Sequence, residues 1–539
     1  MKIDYWMKRR VIVLILISLM FFNIILGFYR NERIIYGEDI IEKLDGRNEN
    51  VEGENLENIE NFEGELEVVI REDIQKGFVE YLYSIRTQEG SYRLNSVPEN
   101  MNLVSGMQIS VSGILKENSV NGENEVDVKD FSLIGNSQQF VVPVPVVGVK
   151  NVTFFRVKFL DDQTDFLSEE DAEILMNDIN SYYKENSYNQ MSLNYSIYPE
   201  YITFPFNSDI VCSIGSSINP LRDFIINDPT INNNINWLEV DNLIIAWGRD
   251  ICPAWAAISD LGEFSRSTAD GITKFGTVNL DGPNGWDFTI AHELGHNYKL
   301  DHADYLDCLG DHIYLPFNGC DTINYGDQFD VMGNSTPKGH FSAIHKEKLG
   351  WLNPNQIINN PTGGIYFITP LEISGGTKAI KIAYDGPYSY YLEYRRPTGY
   401  DFYLPELYGL EVYGGVFLHI NELYGSGGFK SDTQLLDNTP LNDEFDVVVR
   451  PDKPFVDFIG QEIFTVRNFN SSGVEVIIGA TNCNNGADGL LSGNICNGCV
   501  SQAELENYIG KYYIDYTEIT QISGSIKTYL IDLQNPTCP

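Results

Sequence analysis

Three of the chain's 7 histidines fall in one short run, Thr289 to Asp304, which reads TIAHELGHNYKLDHAD. His292 and His296 stand four residues apart. On a helix that spacing puts both imidazoles on one face, a turn apart, where they can reach a single ion. Neutral imidazole nitrogens at about 2.0–2.1 Å are ordinary ligands of Zn2+. Glu293 follows His292 directly and leaves the helix to the side of that face. From there it can take a proton from a water activated at the metal without filling the open coordination position. His302 lies six residues past His296, out of reach along a straight helix. The helix is therefore predicted to end near Tyr298 or Lys299, with the chain turning so that His302 becomes the third ligand.

Downstream, YGDQFDVMGNS (Tyr325 to Ser335) contains a segment, Phe329 to Gly333, that resembles the Met-turn of the metzincin peptidases. Such a turn sets a Met side chain, here Met332, beneath three imidazoles. With HELGHNYKLDHAD, GHFSAIHKEKLGWL (Gly339 to Leu352) and YYLEYRRPTGYD (Tyr390 to Asp401), the chain resembles the gametolysin-type branch of that family over roughly residues 147 to 479. The resemblance implies an α+β metzincin-like catalytic domain, a zinc ion on His292, His296 and His302, Glu293 as general base, and cleavage of peptide bonds. In metzincins an edge strand pairs with the substrate backbone. GTVNLDG (Gly276 to Gly282) reads as that edge, which makes Gly276 and Val278 candidate substrate contacts. His340, close after the Met-turn, is another. The family carries Gly three residues after the second His, and this chain has Lys299. A non-Gly residue held there at positive φ costs on the order of 1 kcal/mol.

The elements that must position these residues follow from patterning. VTFFRVKFL (Val152 to Leu160) is a strand. Ser168 caps a helix to Tyr183, with Glu169, Glu170 and Asp171 in its first turn. Met191 to Phe204 alternates as one or two strands, and Leu243 to Trp247 is a buried strand. The expected organisation is multidomain, with all-β domains flanking the catalytic one and a small Cys-rich C-terminal module. Residues 1–30 form a signal peptide or signal anchor, because Lys8, Arg9 and Arg10 precede an apolar run from Val11 to Gly27. Residues 31–65 are an acidic, Asn-rich linker. Residues 66–145 alternate as a small β-barrel or sandwich, either an accessory domain or a pro-domain. A thiol latch is excluded there, since the first cysteine is Cys212. The catalytic domain takes 147–355 and a β-sandwich-like domain 356–480. Residues 481–539 read as a Cys-rich, dockerin-like helical tail. Glu393, Arg395 and Arg396 read as inter-strand ion-pairing residues.

The net charge of −40 argues against a nucleic-acid partner. The chain is read as secreted, or as anchored facing the cell exterior, and the membrane is met only through the N-terminal segment if it stays uncleaved. The 8 cysteines, an even count in an exported chain, favour disulfides. Cys212–Cys252 and Cys308–Cys320 are candidate pairs. Structural Ca2+ is a further candidate cofactor, although Asp304, Asp307, Asp311, Asp321 and Asp327 read first as a solvated acidic loop. His312, His345 and His419 lack metal-pair spacing and read as structural. The function expected is that of an exported zinc endopeptidase acting on protein or peptide substrates of the extracellular space, cell wall or matrix. The alternative is a cell-surface binding or adhesion protein whose zinc fold has lost turnover.

Overall fold

In a computed structural model, residues between 58 and 478 are described, apart from short internal segments. The N-terminal targeting run, the linker up to residue 57, Asp311, His312, and the tail with Cys483, Cys496, Cys499 and Cys538 lie outside the described residues; residues 59–65, expected as the end of the linker, belong instead to the first strand. Among the described residues no helix is long and apolar enough to cross a membrane.

Residues 58–135 form a five-stranded barrel: β1 (Ile59–Asp73), β2 (Phe78–Arg86), β3 (Ser91–Asn95), β4 (Gln108–Glu117) and β5 (Asn124–Leu133). The order β2-β3-β5-β4-β1 closes because β1 also bonds to β2. Leu66, Val68, Ile70, Ile85, Ile109 and Val126 alternate inward to fill it.

β1 does not end at the barrel. Its C-terminal half continues into a second set of strands, β6 (Gly148–Lys158), β7 (Met191–Ile197), β8 (Ile202–Thr203), β9 (Asn242–Trp247), β10 (Ala257–Asp260), β11 (Phe264–Thr268) and β12 (Gly271–Asp281). The order runs β1-β10-β12-β9-β6-β7. β12, β9, β6 and β7 are parallel neighbours, and β10 is antiparallel to β12. β9 is buried along its whole length, as expected for a strand with both faces covered. One face packs α1 (Glu169–Asn186) and α3 (Trp286–Asn297); the other carries the short helix α2 (Pro220–Asn227). The Ser168 hydroxyl caps α1 by accepting from the Asp171 N–H.

A second sheet holds β13 (Ala303–Cys308), β14 (Cys320–Ile323), β15 (Ile357–Asn359), β17 (Ala379–Ala383), β18 (Tyr388–Glu393), β19 (Val416–Glu422), β20 (Thr433–Leu436) and β21 (Val448–Val449). A four-stranded sheet of β16 (Gly364–Ile368), β22 (Phe455–Asp457), β23 (Glu462–Asn470) and β24 (Gly473–Ile478) shares a core with it. This is a sandwich, but the boundary near residue 355 needs correction. β13 and β14 precede it in sequence, and β13 pairs in parallel with β20. The strand that leaves His302 is thus built into the C-terminal sheet.

Cys212 and Cys252 are disulfide-bonded. Cys320 is also disulfide-bonded and lies opposite Cys308 in the β13–β14 ladder.

Candidate metal centre

α3 is buried from end to end apart from a few N-terminal positions, and it carries His292, Glu293 and His296. Its last helical residue is Asn297, and Lys299 stands at φ 69°. The Lys299 N–H donates to the His296 carbonyl at 2.8 Å, and the Leu300 N–H to the Gly295 carbonyl at 3.0 Å. That pair of bonds is a Schellman cap with lysine in the place usually taken by glycine. The chain reverses there and delivers His302 back to the helix face. His302, like its two partners, is buried.

The three imidazoles meet a fourth group from the barrel, the carboxylate of Glu72 near the end of β1. The ligand atoms of Glu72, His292, His296 and His302 all lie within 4.8 Å of one another. His292 Nδ1 is 2.7 Å from the Val331 carbonyl and His296 Nδ1 is 2.8 Å from the Leu300 carbonyl. A carbonyl only accepts, so each Nδ1 carries the hydrogen and each Nε2 offers a lone pair. Those two Nε2 atoms face each other at 3.1 Å. His302 Nδ1 faces Tyr81 Oη at 3.2 Å, and that hydroxyl gives its own proton to Asp301 at 2.5 Å. His302 therefore also points its Nε2 lone pair inward, 2.8 Å from Glu72 Oε2. Glu72 Oε1 is 3.1 Å from His292 Nε2 and 3.7 Å from His296 Nε2, and it has no hydrogen-bond donor. Lone pairs converging on one buried point repel unless a cation lies among them. The donor set thus fits a metal ion, and it is the one such group among the described residues.

Burial pushes the pKa of His296 down and that of His302 down to about 4, which favours the neutral form a ligand needs. Burial alone would raise the Glu72 carboxyl; positive charge among the three imidazoles holds it well below its usual range, and with the imidazoles neutral that charge is the one a cation would bring. Glu293 is fully buried beside the cluster, and neither of its oxygens has a hydrogen-bond partner among the described residues. Burial first, and then the Glu72 charge, push its carboxyl well above the usual range. A cation in the cluster acts on it in the opposite direction.

The turn at Phe329 to Gly333 lies under the imidazoles. Met332 is fully buried, and the Val331 carbonyl is the one that orients His292. Asp330 fixes the turn by accepting from the N–H groups of Met332 and Ser342 at 2.8 and 2.7 Å and from His345 Nδ1 at 2.7 Å. Arg395 props it from below, donating to the Phe329 carbonyl at 2.6 Å and to Glu393 at 2.7 Å. The Glu393–Arg395 pair is therefore a support for the turn rather than a link between strands.

Three expected substrate contacts are corrected. β12, which holds Gly276 and Val278, is not an edge: it bonds to β10 on one side and β9 on the other. Val278 is buried in the core. Gly276 is packed so tightly that an added Cβ would lie 2.4 Å from the Asn297 side chain. Apart from β1, the outermost strand of the set that holds β12 is β10. His340 is fully buried, 2.9 Å from Glu185 and 3.0 Å from Lys346, and does not face the metal cluster. His345 and His419 are paired with Asp330 and Asp327, so both are structural. Asp304 and Asp327 serve local turns, accepting from the N–H groups of Tyr325 and Phe329.

Sequence reasoning missed Glu72 and Tyr325. The Tyr325 hydroxyl donates to Glu72 Oε2 at 2.6 Å, and its ring lies 4.3 Å from that of His302. No family model matches this chain, and comparison with curated proteins finds none similar to it.

Proposed function

We propose that the cluster is a catalytic zinc centre and that the chain is a zinc endopeptidase of the metzincin kind, similar to gametolysin. The observation that carries the reading is the convergence of three Nε2 lone pairs beside a fully buried carboxylate, Glu293, that follows the first of the histidines. A tetrahedral zinc with ligands at about 2.0–2.1 Å has ligand–ligand edges of roughly 3.3–3.4 Å. Four contacts within the group, His292–His296 and Glu72 to each imidazole, run from 2.8 to 3.7 Å and bracket that value, and all its ligand atoms lie within 4.8 Å of one another.

Bound there, zinc supplies Lewis acidity, lowering the pKa of water towards about 7 and polarising a carbonyl. The chain's own residues do the rest. His292, His296 and His302 hold the ion, their tautomers fixed by the Val331 and Leu300 carbonyls and by Tyr81. Glu293 takes the proton of the attacking water and passes it to the leaving amine nitrogen. With β1 moved aside, β10 would offer backbone groups to an extended peptide, which suits protein substrates of varied sequence. A structural site would need no unpaired base, so Glu293 argues against a binding protein without turnover. The charged and apolar N-terminal run supports action outside the cell, in secreted or anchored form.

The test is Glu293→Gln in the full chain. Zinc content should stay at wild-type level while peptide hydrolysis, measured under conditions where the wild type cleaves, falls by about 10²–10⁴-fold. Unchanged hydrolysis at full zinc occupancy would remove Glu293 from the mechanism.

A further inference from the structure

The outer side of β10, beside the metal cluster, is covered by the chain itself. β1 runs antiparallel along β10, with Val69 opposite Asp260, Ile70 opposite Ser259, Arg71 opposite Ile258 and Glu72 opposite Ala257. The ladder extends at both ends, through the Ala256 N–H to the Glu72 carbonyl at 2.7 Å and the Leu261 N–H to the Val68 carbonyl at 2.9 Å. An extended segment added to a sheet edge is how a cleft of this type grips a peptide by its backbone. The last residue of the ladder puts its carboxylate among the three imidazoles. Glu72 is fully buried there, so neither bulk water nor a peptide carbonyl can reach that point while β1 is in place.

Three features hold the strand down. The Tyr325 hydroxyl clamps Glu72 Oε2. Glu67, on the same strand, is buried against Arg222 at 3.2 Å and Arg266 at 2.8 Å, both from the catalytic part. Val69 of β1 and Leu82 of β2 belong to the core that also holds β6, β9 and Trp255. The barrel is therefore seated on the catalytic part through a continuous interface rather than tethered beside it.

We propose that Glu72 is the fourth metal ligand and that β1 occupies the substrate groove, so that the barrel keeps the full chain latent until it is displaced. This rests on the metallopeptidase reading above, in which the position Glu72 takes belongs to water and substrate. The chemistry is a competition: a tethered carboxylate faces the metal at a high effective concentration, and external ligands enter only as far as it lets go. It needs no cysteine, consistent with the absence of any cysteine before Cys212.

The experiment uses the full chain loaded with Co2+, whose visible spectrum reports coordination, titrated with acetohydroxamate as a small metal-directed probe. Wild type, Glu72→Gln and Glu72→Ala are compared. Glu72→Gln keeps the volume of the side chain and carries the test should alanine disturb folding. Removal of the carboxylate should tighten probe binding by about 100-fold or more and change the spectrum before any probe is added. Hydrolysis of a peptide mixture by the zinc forms should also rise in the variants. Equal probe affinity in wild type and both variants would overturn the assignment of Glu72. Equal hydrolysis by wild type and variants would overturn latency. Tighter probe binding with no hydrolysis from any form would leave Glu72 as a ligand and remove the endopeptidase reading.

Discussion

Gly295 lies directly over the sulfur of Met332: a Cβ built on the glycine would stand 2.4 Å from Sδ. Gly295 is within α3, between the two helical ligands, where alanine would ordinarily be favoured by about 1 kcal/mol. Met332 is fully buried and cannot swing away without moving the turn that orients His292. Gly295→Ala should therefore lose about 1–3 kcal/mol to overpacking, more than its helix propensity returns. It should weaken metal binding at the cluster by roughly 10-fold or more, because the Val331 carbonyl shifts with the turn. Chelator competition and urea unfolding measure the two effects. Metal affinity equal to wild type would show that the turn is not coupled to His292.

Lys299 presents the opposite case, a side chain where glycine belongs. Its φ of 69° is the left-handed conformation that the Schellman cap requires. Lys299→Gly should stabilise the protein by about 0.5–1 kcal/mol, the strain relieved less the added freedom of the unfolded chain. Lys299→Ala should be near neutral, since alanine is strained equally. A loss of stability in Lys299→Gly would mean that the lysine stem packed against Gly262 matters more than the backbone.

His345 sets a pH limit. Burial alone would lower its pKa, but Asp330 and Asp432 outweigh this and raise it to about 9. The folded value thus exceeds the unfolded one, about 6.5. The stability it contributes is complete below pH 6.5 and disappears as pH rises through about 9. Unfolding free energy should therefore fall between pH 6.5 and 9.5, by on the order of 2–3 kcal/mol at most. His345→Gln should be less stable at pH 6 and show a flatter profile over that range. Parallel profiles for the two proteins would remove His345 as the source.

What could be seen in the sequence was local. The two helical histidines, the reversal at Lys299 and the return of His302 depend on spacing within one short run, and the turn at Met332 on a few neighbouring residues. What could not be seen depends on pairings between distant segments. Glu72 meets His302 across 230 residues, and nothing in LEVVIRED separates that glutamate from a solvated one. GTVNLDG reads equally well as an edge or an interior strand, since only β10, placed outside it by the β10–β12 pairing, decides which it is. The joining of β13 to β20 is likewise a parallel, long-range pairing, so the apparent boundary near residue 355 followed composition rather than contact. His340 lay near the Met-turn in sequence, but its burial against Glu185 and Lys346 is set by the packing of α1 and α4 (Ala343–Lys348).

Glu67 offers a way to loosen the barrel without touching the metal ligands. Its carboxylate joins two guanidiniums, Arg222 and Arg266, the second of which also reaches Asp260 at 3.0 Å. Removing one charge from such a buried group costs about 3–5 kcal/mol, because the partners stay desolvated without compensation. In Glu67→Gln that cost falls on the seam between β1 and the part that carries the metal cluster, so the barrel should separate more readily while α3 and the imidazoles stay intact. Amide exchange along the β1–β10 ladder should accelerate, that of α3 should not, and acetohydroxamate should reach the metal more easily than in wild type. Faster exchange throughout α3 as well would mean that the barrel and the part around α3 unfold as one unit, and that displacement of β1 alone is not an available step.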